Sequence, residues 1–495
     1  MRILYPYIFL IVGVACVIMF HADVYLPIWI SVFFLTGVTL FLISEYKARQ
    51  IGVLVLLLWI IVGLPFIHVI PYLWFDFQNG DSPDFWKIYI NPYTLDQRVI
   101  QLTSMIGAVV GIGFALGVSM HRKVISMPDR LHVIRISNRR RSLVLPIFLV
   151  WLLAGLLLSW LAAPEQTLFT AAYTTSTSRL ENANFGSAWM VSYAILSFVF
   201  CDAMLDQNFV RRRLKIKITL VALAYVVLVL QLARGDRESV PFVFGLCMIY
   251  YYWAAPFTMS RKLQVPWRKI AVIALAILVV SMIIGGIRTG LTDINDIRAL
   301  VDALVLLYEA DVIGVATLFH GTWSAVFLTP MSVAGDHIYN LLDLKLGQTY
   351  LDLIISMPPG FVADAVGYTR PISGLSGPAW EMRYGIGGTH ASVVPFMNFS
   401  MTGVLLVTAF WAFVLSGTER RAMREGKASS LSLLCIIVMA APHWLWYGEK
   451  SIMNALIMWL LLRFFYSVSL SIGRMSRPII TSPSFAASRV FNGAN

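Results

Sequence analysis

The chain has 495 residues, 58% of them hydrophobic and only 13% charged, with a mean hydropathy of +0.75 and a formal net charge of +12. This composition excludes a soluble globular domain and predicts one integral membrane unit of the all-α class.

Apolar runs long enough to cross a hydrocarbon core of about 30 Å, roughly 17–25 residues each, predict about twelve transmembrane helices. They fall near 4–20, 26–43, 51–72, 98–119, 143–163, 188–204, 218–233, 238–257, 270–287, 392–416, 430–447 and 452–469. The first run follows a single basic residue, Arg2, and soon pairs with the second, which predicts a retained helix and not a cleaved signal peptide. Cys16, Cys201, Cys247 and Cys435 each lie in or beside an apolar run, with no C-x-x-C among them, so neither disulfides nor structural zinc are expected.

Lys and Arg orient the spans. Segments 44–50, 121–142, 205–217, 258–269 and 417–429, with the two termini, hold 26 of the 38 basic residues, Arg139–Arg141 and Arg211–Arg213 included. They are assigned to the cytoplasm. The opposite face then carries 20 acids against 11 basic residues and is acidic. Anionic membrane lipid accounts for the juxtamembrane basic clusters, and no nucleic-acid partner is expected.

Outer loop 73–97 carries Trp74, Phe75, Phe77, Phe85, Trp86, Tyr89 and Tyr93. These rings could stack on sugars, although an interfacial aromatic belt is the plainer account. The integral membrane domain covers 1–470 and includes a large outer loop, 288–391, whose length suggests a lid or subdomain more than a connector. Within it Thr292 or Asp293 can cap a helix through Ile294–Phe319, whose part Leu300–Phe319 is long enough to span yet carries Asp302, Glu309 and Asp311. Those acids make lipid exposure costly, so it is expected half-sunk in the interface or packed on the bundle. Residues 471–495 have no periodicity and read as a disordered cytoplasmic tail. No repeat, Walker motif or strand-preceded G-x-G-x-x-G supports ATP-driven transport.

The stretch "LQLARGDRESVPF", Leu230 to Phe242, holds the main functional signal. Arg234 and Arg237 close the seventh span on the outer side, Gly235 permits a tight turn, and Glu238 opens the next span. Pairing of Arg234, Asp236, Arg237 and Glu238 among themselves is one account. The other draws on Arg288, which ends the ninth span on the same side: guanidinium forks from two helix ends suit a diphosphate. Headgroup anchoring would also explain Arg288 alone.

The end of the large loop adds Arg370, Glu381, Arg383, the glycines Gly385, Gly387 and Gly388, and His390. The glycines allow backbone to approach a ligand, or form a plain turn. His390 has the chemistry of a base or hydrogen-bond donor, although a lone interfacial histidine is more often structural. His320, His337 and His443 are too scattered to be metal ligands, and helix capping explains Asp293 and Asp296, so neither metal nor other cofactor is expected.

At these residues the chain resembles the Wzy-type O-antigen polymerases, or oligosaccharide repeat unit polymerases, and the related O-antigen ligases. The resemblance rests on Arg-Gly-x-Arg at 234–237, on the late outer loop, and on the glycine-rich run leading into Asn398-Phe399 and Gly403. It implies a GT-C-like helical fold and a glycosyltransferase that joins repeat units carried on undecaprenyl diphosphate at the periplasmic face of the bacterial inner membrane. It also implies the diphosphate-linked oligosaccharide and a chain-length regulator protein as partners. Relatives often carry an acid four residues before the Asn-Phe pair, where this chain has Val394; Glu381 is the candidate substitute. On this reading Arg234, Arg237 and Arg288, with Arg370 as a fourth, bind the diphosphate, and His390 serves the acceptor hydroxyl or the leaving phosphate. A ligase, or a flippase for lipid-linked sugar, remains as the alternative.

Overall fold

The computed structural model describes residues 2–48, 50–74, 93–121, 322–355, 367 and 390–425, with isolated positions between 430 and 468. Among the described residues all regular structure is helical. The elements are α1 (Tyr5–His21), α2 (Ile28–Lys47), α3 (Val53–Gly63) continued by a 3-10 segment (Leu64–Leu73), α4 (Gln97–Ser119), α5 (Thr322–Ile338), α6 (Gln348–Ile355) and α7 (Val393–Glu425). Three of them, α2, α4 and α7, are long and apolar enough to cross a membrane, and α3 with its 3-10 continuation makes a fourth if that bent pair is one span. The slightly shorter α1 is equally apolar in character.

The centre of the bundle is α4. Its side chains are buried almost without interruption from Val99 to Val118, so protein and not lipid surrounds it. Such enclosure requires close neighbours, and glycine supplies them. A Cβ at Gly113 would stand 2.7 Å from the Leu405 carbonyl, and one at Gly117 would stand 2.1 Å from the Ala409 carbonyl. Backbone therefore meets backbone along the α4–α7 seam, as small residues allow between membrane helices. Gly13 does the same for α1, where a Cβ would run into Leu405.

Several polar side chains within the spans find partners nearby, as the absence of water in a bilayer core favours. Thr36 and Thr39 donate to the carbonyls of Val32 and Leu35 one turn back. Trp59 Nε1 donates to Thr39 Oγ1 at 3.0 Å, tying α3 to α2, and Ser104 meets Ser31 at 3.2 Å, tying α4 to α2.

Past Gly63, the third span changes character. Pro65 opens the 3-10 segment and Pro71 lies inside it, and neither has an N–H to continue an α-helical ladder. The two halves bend by 48°.

Residues 322–338 fall in the segment assigned to the large outer loop, yet α5 packs against α4 and the 3-10 segment and is buried from Val326 through Asp336. Phe327 meets Phe66 edge-on and stacks on His68. This helix of 17 residues carries Pro330 inside it and is less apolar than the spans, and it packs within the bundle all the same. The helix expected at Leu300–Phe319 lies outside the described residues, as do spans 143–163 through 270–287 and the tail from 471.

Candidate functional site

Two neighbouring features stand at the end of the bundle that the basic-residue bias assigns to the outside. The first is a rim of tyrosines and carboxylates. Asp96 caps α4 by accepting from the N–H groups of Arg98 at 2.9 Å and Val99 at 3.2 Å. Its other oxygen accepts from the Tyr339 hydroxyl, and this bond holds the phenol proton in place and raises the Tyr339 pKa. Tyr93 donates to Asp336 at 3.1 Å, and the two tyrosine rings stack 5.8 Å apart. Arg98 sits 6.0 Å over the Tyr25 ring, and His337 stacks on Phe20. Aromatic faces and acids thus meet where the sequence predicted an acidic outer surface.

The second is a break in α7. Phe399 (φ −135°, ψ 17°) and Ser400 (φ 57°, ψ −151°) leave helical geometry and divide α7 in two. A positive φ at a residue with a side chain is strained, and tertiary contacts hold it. Gly403 lets the halves close up, since a Cβ there would fall 2.3 Å from the Pro395 carbonyl. The Ser400 hydroxyl is buried and has no hydrogen-bond partner among the described residues.

Asn398 joins this break to the end of the α5–α6 connection. Its side-chain oxygen accepts from the Gly347 N–H at 2.9 Å, while its amide donates to Thr349 Oγ1 and, at 2.8 Å, to the Val394 carbonyl. The Lys345 N–H donates to the Met397 carbonyl at 2.9 Å. Leu346 (φ 45°) and Gly347 (φ 92°) form the tight turn this requires, and Tyr350 stacks on Phe399. Asn398, Phe399 and Gly403, three residues of the resemblance, are therefore the working parts of one break and clamp.

His390 is the one candidate site residue among those described. It is wholly buried beneath Phe66. Its Nε2–H donates to the Val62 carbonyl at 2.9 Å, at the α-to-3-10 junction where the ladder loses acceptor order. Nδ1 accepts from the Ser392 N–H and stands 2.7 Å from the Ser392 hydroxyl. This pattern belongs to the neutral ring, and both nitrogens are engaged within the protein. Arg234, Arg237, Arg288, Arg370 and Glu381 lie outside the described residues, as do Gly385, Gly387 and Gly388. Among the described residues no three His, Cys, Asp or Glu side chains gather as a metal site would need.

Burial lowers the His390 pKa to about 4. An unfolded imidazole titrates near 6.5, so between those values the unfolded chain binds a proton that the folded chain refuses. Stability is then unaffected above about pH 6.5 and declines as pH falls toward 4. The melting temperature of His390→Gln should fall less over that window than wild type; equal slopes would show that the ring is not the titrating group.

The clamp escaped sequence reasoning because Asn398 and its partners Gly347 and Thr349 lie about fifty residues apart and none carries charge. The described residues define an all-helical chain with apolar helices fit for a membrane. Comparison with protein-family models, with curated proteins and with solved structures finds no match.

Proposed function

We propose that this protein is a Wzy-type polymerase. About twelve helices in a GT-C-like arrangement would cross the bacterial inner membrane, and the chain would join undecaprenyl-diphosphate-linked repeat units on the periplasmic side. The observation that carries the reading is the convergence of Asn398, Phe399 and Gly403 on the break in α7, where part of the large outer segment is clamped.

In the reaction, the bond from the anomeric carbon of the growing glycan to its lipid diphosphate breaks. A new bond forms to a hydroxyl of the incoming unit, whose proton passes to a base. The lipid diphosphate leaves as an anion. Arg234, Arg237 and Arg288, with Arg370, would hold that developing charge. Glu381 is the candidate base. His390 would reach substrate by exchanging its Val62 bond for one to the acceptor hydroxyl or leaving phosphate. Without such an exchange it positions the bent third span against the start of α7. A chain-length regulator and membrane lipid are the expected partners, without metal or other cofactor.

A flippase for the same lipid-linked sugar is the second reading, favoured by a broken apolar helix with an unpartnered buried hydroxyl, a feature transporters use at substrate sites. A gel of surface polysaccharide from a strain lacking the gene, with and without a plasmid copy, separates them. The polymerase reading expects the ladder to collapse to a single capped repeat. Repeat units trapped in the cytoplasm would replace it with the flippase, and full-length polymer accumulating on its carrier outside would replace it with a ligase.

A further inference from the structure

The segment between α5 and α7 carries a run of apolar side chains that stand exposed among the described residues. Leu346 is 79% exposed, Leu351 60%, Ile354 58% and Ile355 44%. The last three lie on α6, at spacings of three and four that place them on one side of a helix. Tyr350, four residues before Ile354, borders this face and packs on Phe399.

What lies beside this face identifies its occupant. Phe399 is itself part exposed, and from it an exposed apolar stripe runs down α7 through Leu406, Phe410 and Phe413, at helical spacing along a helix fit to cross a membrane. The Tyr350–Phe399 stack and the Asn398 bonds seat α6 at the upper end of that stripe. An uncovered apolar surface continuous with the outside of a span meets acyl chains.

We propose that α6 is a half-inserted helix whose Leu346, Leu351, Ile354 and Ile355 lie among the acyl chains of the leaflet at the Asp96 end, and that Asn398 couples its seating to the break in α7. The coupling is direct. The Gly347 N–H and Thr349 hydroxyl at the start of α6 both bond the Asn398 side chain, and Asn398 immediately precedes the distorted Phe399 and Ser400. Leu346 and Gly347 supply the turn that brings the chain from the tyrosine rim onto this clamp. The proposal depends on the membrane character of α7 and not on the polymerase reading.

The test uses the full chain in lipid nanodiscs, its four cysteines replaced by serine and a nitroxide attached at Leu351→Cys or Ile354→Cys. References are a lipid-facing label at Phe410→Cys and an exposed one at Ala22→Cys, in the turn between α1 and α2. Labels on α6 should collide with dissolved oxygen as readily as at 410 and largely escape a water-soluble nickel chelate. Collision with the chelate at the level of Ala22 would overturn the proposal, and so would shielding from both reagents, which would mean a second copy or another part of the chain covers the face. Asn398→Ala should sharpen the spectrum at 351 and leave 410 unchanged; a loss of order at both would signal general unfolding and remove the coupling. Should the serine background fail to assemble, carbene labelling of the unmodified chain by a membrane-partitioned diazirine gives the same answer. The peptide holding 351–355 should be labelled comparably with that holding 406–413, and no labelling there would overturn the proposal.

Discussion

Replacing Glu419 with alanine should lower the unfolding free energy by about 2–6 kcal/mol, read as a fall in the unfolding midpoint of the purified chain in detergent. The reason lies at the start of α3, where the first N–H groups of a helix have no partner within it. Glu419 reaches across from α7 and supplies one: Oε2 accepts from the Gly52 N–H and Oε1 from the Leu54 N–H, each at 2.9 Å. The side chain is 2% exposed, so the donors it satisfies lie away from bulk solvent. Each orphaned buried donor costs about 1–3 kcal/mol, and the carboxylate's favourable place at a helix N-terminus is lost as well.

Glutamine at 419 keeps one acceptor oxygen and should lose roughly half as much. Gly52 has a matching requirement, because a Cβ there would stand 2.2 Å from Glu419 Oε1. Gly52→Ala should therefore destabilise alone, while adding it to Glu419→Ala should cost little more, the non-additivity expected of touching residues. An unchanged midpoint for Glu419→Ala would remove the clamp as a stabilising contact.

Reversing charge at both Arg234 and Arg288, as Arg234→Glu with Arg288→Glu, should abolish the polysaccharide ladder while the protein still reaches the membrane. Losing one preplaced donor for a developing oxyanion costs about 2.7–4 kcal/mol, on the order of 10²–10³ in rate, and reversal adds repulsion of the diphosphate. In the sequence both residues stand where an apolar run stops, on the side that the basic-residue bias makes the outer one, where arginine is disfavoured. Conversion of each to lysine keeps charge but loses the fork and should leave short ladders. A full ladder from the double reversal, at normal protein levels, would sink the diphosphate assignment and leave headgroup anchoring as the account of Arg288.

Runs of apolar residues located the described spans closely, because a bilayer demands that continuity of any lipid-facing helix. Expected spans 4–20, 26–43, 51–72 and 98–119 meet observed helices Tyr5–His21, Ile28–Lys47, Val53–Gly63 with Leu64–Leu73, and Gln97–Ser119. The helix at the span expected for 392–416 is longer, running from Val393 to Glu425, because the charged stretch after Ser416 stays helical. Features that depend on distant partners were not legible. Ser400 is neither the proline nor the glycine that usually announces a break; Gly403 lets the halves close up, and the Asn398 bonds fasten a distant segment beside it. Glu419 entered only a charge tally, since its partners lie 365 and 367 residues earlier. His390 stood out as a lone titratable group, while its partner Val62 is a backbone carbonyl with no signature of its own.

The enclosure of α4 has a consequence for how the chain is made. Its glycine seam is built to receive α7, whose first residue is synthesised roughly 270 residues after α4 ends. At about 5–20 residues per second on the ribosome, α4 waits for tens of seconds before that partner leaves the translocon. Its largely apolar surface, buried in the finished protein, is what lets it wait safely in the bilayer. A charged side chain at any of its buried positions would therefore harm biogenesis before it harmed the folded molecule.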